Sequence, residues 1–106
     1  MTWFAASLFY RGVASDGDTA ELWEERIALI EAGTPEEAFV SAQAIGVDGG
    51  VSYEASNGAG YEWSFYQVER ILEIQSETLL SGTEVFSRFL RKAEAASLLT
   101  PFEEEE

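Results

Sequence analysis

An α+β fold is what this sequence predicts: an antiparallel sheet of about five strands in ββαβββ order, one main helix packed on one face, and a short C-terminal helix. Three observations predict it. Residues 22–46, LWEERIALIEAGTPEEAFVSAQAIG, read as a strand, a sharp turn and a capped helix. Aromatic and β-branched runs bounded by turn residues flank that unit on both sides. The first connecting loop is short enough for a hairpin and too short for a parallel crossover.

Residues 3–13, WFAASLFYRGV, form the first expected strand. Alternation sets Phe4, Ala6, Leu8 and Tyr10 on one face and Trp3, Ala5, Ser7 and Phe9 on the other. Neither face is polar, so the strand is expected to be central or covered on both sides. Ser15-Asp16-Gly17-Asp18 is a turn by composition. In the second strand, residues 22–32, Trp23, Glu25, Ile27 and Leu29 share a face. Leu22, Glu24, Arg26, Ala28 and Ile30 share the other.

The helix is expected over residues 35–45. Thr34 can accept an N–H of the first turn, Pro35 falls where its missing N–H costs nothing, and Glu37 completes a capping box. Gly46 is suited to the left-handed conformation that ends a helix. Ala38, Phe39, Ala42 and Ile45 recur at helical spacing and predict the buried stripe.

Beyond the helix, residues 51–55 form a short strand. Asn57-Gly58 signals a tight hairpin turn, and residues 61–75 return as a long strand. There, Tyr66, Val68, Leu72 and Ile74 alternate with Tyr61, Trp63, Phe65 and Ile71. Residues 83–90 have strand composition, although Val85, Phe86, Phe89 and Leu90 also fit helical spacing. A strand followed by a short helix over residues 92–99 is the expectation. Residues 1–102 are read as a single domain, and Glu103 to Glu106 as a disordered acidic tail.

The chain of 106 residues contains neither cysteine nor histidine. This excludes disulfides, Cys/His zinc sites, thiolate nucleophiles and histidine acid–base catalysis. No P-loop, dinucleotide fingerprint or serine nucleophile elbow occurs. No cofactor is expected. Asp16 and Asp18 lack the further spaced oxygen ligands of a calcium loop, so no metal is expected either. No apolar run is long enough to span a membrane.

Net charge is −14, from 20 acidic and 6 basic side chains. Residues 1–50 carry nine acidic and two basic groups, so the acidity is not confined to the tail. Such a surface repels nucleic acid and anionic lipid. It either keeps a small domain soluble or attracts a basic protein.

Several segments resemble a small bacterial family, domain-of-unknown-function family 4288. They are WFAASLFYR, LWEERIALIEAGTPEEAFVSAQAIG, SYE, W-x-F-x-x-V-x-x-I-x-E-I and GTEVFSRFLR, in that order over residues 3–91. The resemblance implies a bacterial, cytoplasmic, single-domain protein. It implies no activity, and no site residue is carried over from it.

Candidate binding residues are therefore chosen on chemistry. Glu25 lies beside Trp23 on its strand face and is either an acid–base carboxylate or a partner of Arg88 or Arg91 that fixes register. Glu24 and Arg26 share the opposite face. Arg88 can clamp a carboxylate or phosphate through two parallel hydrogen bonds, or neutralise a neighbouring glutamate. Trp3, Trp23 and Trp63, with Tyr53, Tyr61 and Tyr66, are candidate interface aromatics, with core packing the alternative.

The leading expectation is a non-enzymatic protein-binding module acting on a basic partner, such as an immunity-like inhibitor or accessory subunit. The alternatives are a small ligand-binding or enzymatic domain built on Glu25, Arg88 and neighbouring tyrosines, and a self-associating structural domain that forms a homodimer.

Overall fold

The computed structural model describes residues 1–14, 22–54 and 60–100, with backbone alone for 51–54, 60 and 61. The expected turns at Ser15–Asp18 and Asn57-Gly58 and the acidic tail lie outside the described residues. The elements are β1 (Thr2–Ala14), β2 (Leu22–Ala32), α1 (Pro35–Asp48), β3 (Val51–Glu54), β4 (Gly60–Glu73) and α2 (Lys92–Leu99). The α+β class and the antiparallel sheet are as expected. The described sheet has four strands rather than five, in the order β2-β1-β4-β3.

The missing strand is the one expected over residues 83–90. That segment is neither strand nor helix. It lies across a face of the sheet, where its backbone cannot join a ladder: residues 83–87 line a cavity together with Leu72 of β4. It is launched by a turn in which Thr83 N–H donates to the Leu80 carbonyl and Leu80 N–H to Thr83 Oγ1. Gly82 sits at a φ of 92°, a conformation open mainly to glycine.

β1 is the central strand, antiparallel to β2 on one side and β4 on the other. Both its faces are covered along most of its length. Phe4, Ala6, Leu8 and Tyr10 join Ile30, Ala32, Ala38 and Ala42 in the core under α1. Ala5 and Ser7, on the opposite face, are equally buried.

β4 does not keep the simple alternation expected of it. Its pairing with β1 slips between Ser7 and Leu8 and again between Phe9 and Tyr10. Each slip is a β-bulge, where one extra residue reverses the side-chain parity that follows. Val68, opposite Leu8, is thereby carried to the helix face with Trp63, Phe65 and Ile71, and away from Tyr66.

The Thr34 cap and Pro35 start α1 as expected, but Glu37 reaches one residue past the cap, to Gly33, instead of closing the expected capping box on Thr34. Glu37 N–H donates to Thr34 Oγ1 at 3.1 Å, and Gly33 N–H donates to Glu37 Oε1 at 2.9 Å. Its end is not at Gly46. The helix runs to Asp48 with Gly49 as its C-cap. Gly46 belongs to the buried stripe Ala38, Ala42, Gly46, whereas Phe39 and Ile45 remain nearly half exposed. Three small residues one turn apart let the helix axis approach the sheet, and they leave the bulky neighbours at the margins. A Cβ on Gly46 would stand 2.6 Å from Phe65 Cζ, so the close approach requires glycine.

Candidate functional site

The sheet has two unlike faces. One lies under α1. The other carries the odd-numbered residues of the β1–β2 ladder, where Arg11 faces Trp23, Phe9 faces Glu25, Ser7 faces Ile27 and Ala5 faces Leu29. Residues 83–88 cross this second face, but they cover it only in part. Trp23 is 48% exposed, Ile27 44%, Leu29 45% and Tyr66 61%. Tyr66 reaches the patch because it is the extra residue of the bulge between Phe65 and Gln67. Its ring meets Trp23 edge-on, with centroids 5.0 Å apart and planes at 81°. That pair bridges β2 and β4 over the central strand.

Glu25 lies within this face and accepts three hydrogen bonds. Ser7 Oγ donates to Oε2 at 2.6 Å, Arg88 Nη1 to Oε2 at 3.0 Å and Arg88 Nη2 to Oε1 at 2.9 Å. The fork-on-fork arrangement of guanidinium and carboxylate is the strong form of this contact. Both side chains retain about a quarter of their exposure. With both oxygens engaged, the carboxylate ties the C-terminal arm to the sheet. Arg88 does so from irregular chain, not from a neighbouring strand as the register-fixing reading supposed.

Glu24, Arg26 and Trp63 lie on the helix side instead. Arg26 stacks over the Tyr10 ring with its Cζ 3.8 Å from the centroid. Its Nη1 donates to the Gly49 carbonyl at 3.1 Å and its Nη2 to Glu24 Oε1 at 3.0 Å. α1 has no basic residue in its last turn. Arg26 therefore supplies from β2 the positive charge that a helix C-terminus favours. The hydrogen bond that Arg26 donates to Glu24 is the largest influence raising its already high pKa, opposed by burial. Tyr10 completes the joint by donating its hydroxyl to the Gly46 carbonyl at 2.8 Å. Trp63 packs against the core.

The sequence-derived candidates therefore do not converge. Trp23, Glu25 and Arg88 meet on the open face. Glu24, Arg26 and Trp63 serve the helix side, and the Tyr53 side chain lies outside the described residues. A cavity of about 440 Å³ between the end of β4 and the arm is lined by Leu72, Glu73, Thr83, Val85 and Phe86 among others, but not by Glu25 or Arg88. Among the described residues, no cluster of three acidic side chains has the geometry to hold a metal ion. No described helix is long and apolar enough to cross a membrane.

Ser7, which binds Glu25 on the open face, was not among the candidates. Ser7 is the lone polar side chain in the run WFAASLFY, which was a usable signal. Tyr66 was among the candidate aromatics, but strict alternation places it beside Val68, and the bulge puts it on the other face.

The family model described as Domain of unknown function (DUF4288) matches residues 3–87. No curated protein and no solved structure matches the chain.

Proposed function

Because the chain belongs to the DUF4288 family, whose description names no activity, we propose on the chemistry of the open face that it is a non-enzymatic protein-binding module. The contact surface is the half-exposed group Trp23, Tyr66, Ile27 and Leu29, set around the Glu25–Arg88 pair. The partner is a basic protein segment with apolar side chains, and the setting is the bacterial cytoplasm.

The observation that carries this reading is the Trp23–Tyr66 pair, which presents two large rings to solvent on an unfinished sheet face. Tryptophan, tyrosine and arginine are the side chains enriched in interface hot spots. A partner's positive charge follows from stoichiometry. Six basic side chains leave at least fourteen of the twenty acidic ones without an internal counter-charge. Such an excess steers cationic partners toward the surface and repels anionic ones.

Capture on the immobilised protein tests the reading, with wild type run beside Trp23→Ala and Ile27→Asp. The expected result is a retained protein of high pI that is released by salt and lost on both variants. Retention that ignores both substitutions, or a retained set of acidic proteins, overturns it.

A further inference from the structure

The partner chemistry assigned to the open face also occurs within this chain. Residues 88–100 hold Arg88, Arg91 and Lys92 against Glu94 alone, a net charge of +2, and half of all the basic side chains. Residues 1–87 hold fifteen acidic and three basic groups, a net −12. This stretch is therefore a short cationic segment between an acidic body and the four glutamates of residues 103–106. It is also apolar: Phe89 is 103% exposed, and Leu98 and Leu99 are largely exposed on α2.

α2 has eight residues, none of them buried, and it packs on no strand and not on α1. A helix of two turns has too few hydrogen bonds to offset its nucleation cost in water, and ordinarily depends on tertiary packing. The radius of gyration is 16.4 Å, against about 13 Å for a compact chain of this length.

The course of the arm indicates where that packing is found. Residues 83–87 lie against Leu72 and Glu73 on the β4 side, and Arg88 reaches Glu25 on β2. The arm thus crosses the face toward β2, which is an edge strand. Phe89 and α2 follow directly after that crossing.

The geometry points to a second copy of this chain as the occupant of the open face, through reciprocal exchange of the arms. Resting on the reading of that face as a docking surface, it places Phe89 and the leucines of α2 from each copy over Ile27, Leu29 and Trp23 of the other. Arg91 and Lys92 then lie against an acidic body. Arm-on-face contact repeated by a two-fold axis is self-complementary, as an isologous dimer requires. The two Phe89 rings alone offer roughly 400 Å² of the ~1,200 Å² that a stable interface buries. Leu90, Leu98 and Leu99 on the arm, with Ile27 and Leu29 on the face, extend it.

Sedimentation equilibrium on the full chain is the test. At about 100 μM, above the micromolar dissociation constant of even a weak standard-size interface, wild type is expected at twice the 11.7 kDa chain mass. The arm variant Phe89→Asp/Leu98→Asp and the face variant Leu29→Asp are each expected at the chain mass. The arm substitutions alter only exposed side chains and carry the decision if far-UV circular dichroism shows the face variant unfolded. A monomeric wild type, or an arm variant that still dimerises, overturns the exchange. A monomeric wild type that still captures a basic protein through Trp23 and Ile27 refutes the exchange alone. A wild-type dimer abolished by the arm substitutions, with no such capture, supports the exchange and counts against a foreign partner.

Discussion

Arg88 and Glu25, 63 positions apart in the chain, form a two-point guanidinium–carboxylate contact at 2.9 and 3.0 Å, with Ser7 as a third donor to the same carboxylate. Hydrogen bonds between charged groups contribute more than neutral ones, but partial exposure screens them. Arg88→Ala is expected to cost about 1–2 kcal/mol in urea unfolding, and Arg88→Lys roughly half of that, because lysine cannot bond in the two-point manner. The same change should loosen the arm. Tryptic cleavage after Arg91 and Lys92 should accelerate before any global unfolding. An Arg88→Ala protein with unchanged stability and unchanged cleavage would show that the arm is held elsewhere.

Gly46 opposes two effects of known sign. Alanine is the better helix former by about 1 kcal/mol. Its Cβ, however, would lie 2.6 Å from Phe65 Cζ and 2.7 Å from Cδ1. Overpacking of this kind costs about 1–3 kcal/mol where neighbours cannot yield. Phe65 is held by Tyr10, with ring centroids 5.6 Å apart, and Tyr10 by its hydrogen bond to Gly46 itself. Packing should therefore win, and Gly46→Ala should lower stability despite its helix propensity. Shrinking the opposing ring should recover part of the loss: Gly46→Ala/Phe65→Leu is expected to be less destabilised than the sum of its single substitutions, read as a double-mutant cycle by thermal unfolding.

The parts of the fold legible in the sequence are those with local chemical signatures. Thr34, Pro35 and Glu37 announce the start of α1, and the limits of β2 and α2 follow from composition. The features without such a signature depend on the surface they pack against. Gly46 looks like a helix stop until Phe65 is placed against it. The bulges of β4 leave no mark in YEWSFYQVERI, because any residue type tolerates the extra position, yet they decide that Val68 faces the core and Tyr66 faces out. Residues 83–90 have the composition of a strand but cross a sheet face, where no ladder is available. At the site, the Glu25–Arg88 pairing was one of two arginine choices open to the sequence. Arg26 and Trp63 could not be assigned to the helix side until register was known.

Arg26 should reveal itself at alkaline pH. Its pKa is raised above the ordinary value, first by the hydrogen bond it donates to Glu24. A base raised on folding stabilises at every pH below its unfolded pKa and loses that contribution only as pH climbs through the folded one. For arginine this window lies beyond any practical titration, so the wild-type contact should be insensitive to pH between about 7 and 10. Arg26→Lys substitutes a base of ordinary pKa about 10.4 and forfeits the flat stacking on Tyr10. The variant should be less stable at neutral pH, and its deficit should widen as lysine is neutralised near pH 10 and above. A constant deficit would mean that the charge at the end of α1 contributes nothing and only the stacking counts.

Salt should stabilise this protein. The ion pairs among the described residues include Arg26–Glu24, Arg70–Glu69, Arg88–Glu25 and Arg91–Glu94. Of these four, Arg88–Glu25 alone has both side chains below a third exposed. Exposed pairs contribute little, and salt removes little when it screens them. Against them stands the self-repulsion of a net charge of −14 on 106 residues. Raising ionic strength from about 0.01 M to 0.15 M shortens the Debye length from about 30 to 8 Å, which screens charges on opposite sides of so small a body. The unfolded chain, being more expanded, gains less from that screening. A gain of about 1 kcal/mol would raise Tm by roughly 4–8 °C for a chain of this length. The same rise in sodium chloride and in potassium chloride would identify screening as the cause. A fall in Tm would mean that the few ion pairs outweigh the excess of carboxylates, and would remove the electrostatic ground for a cationic partner.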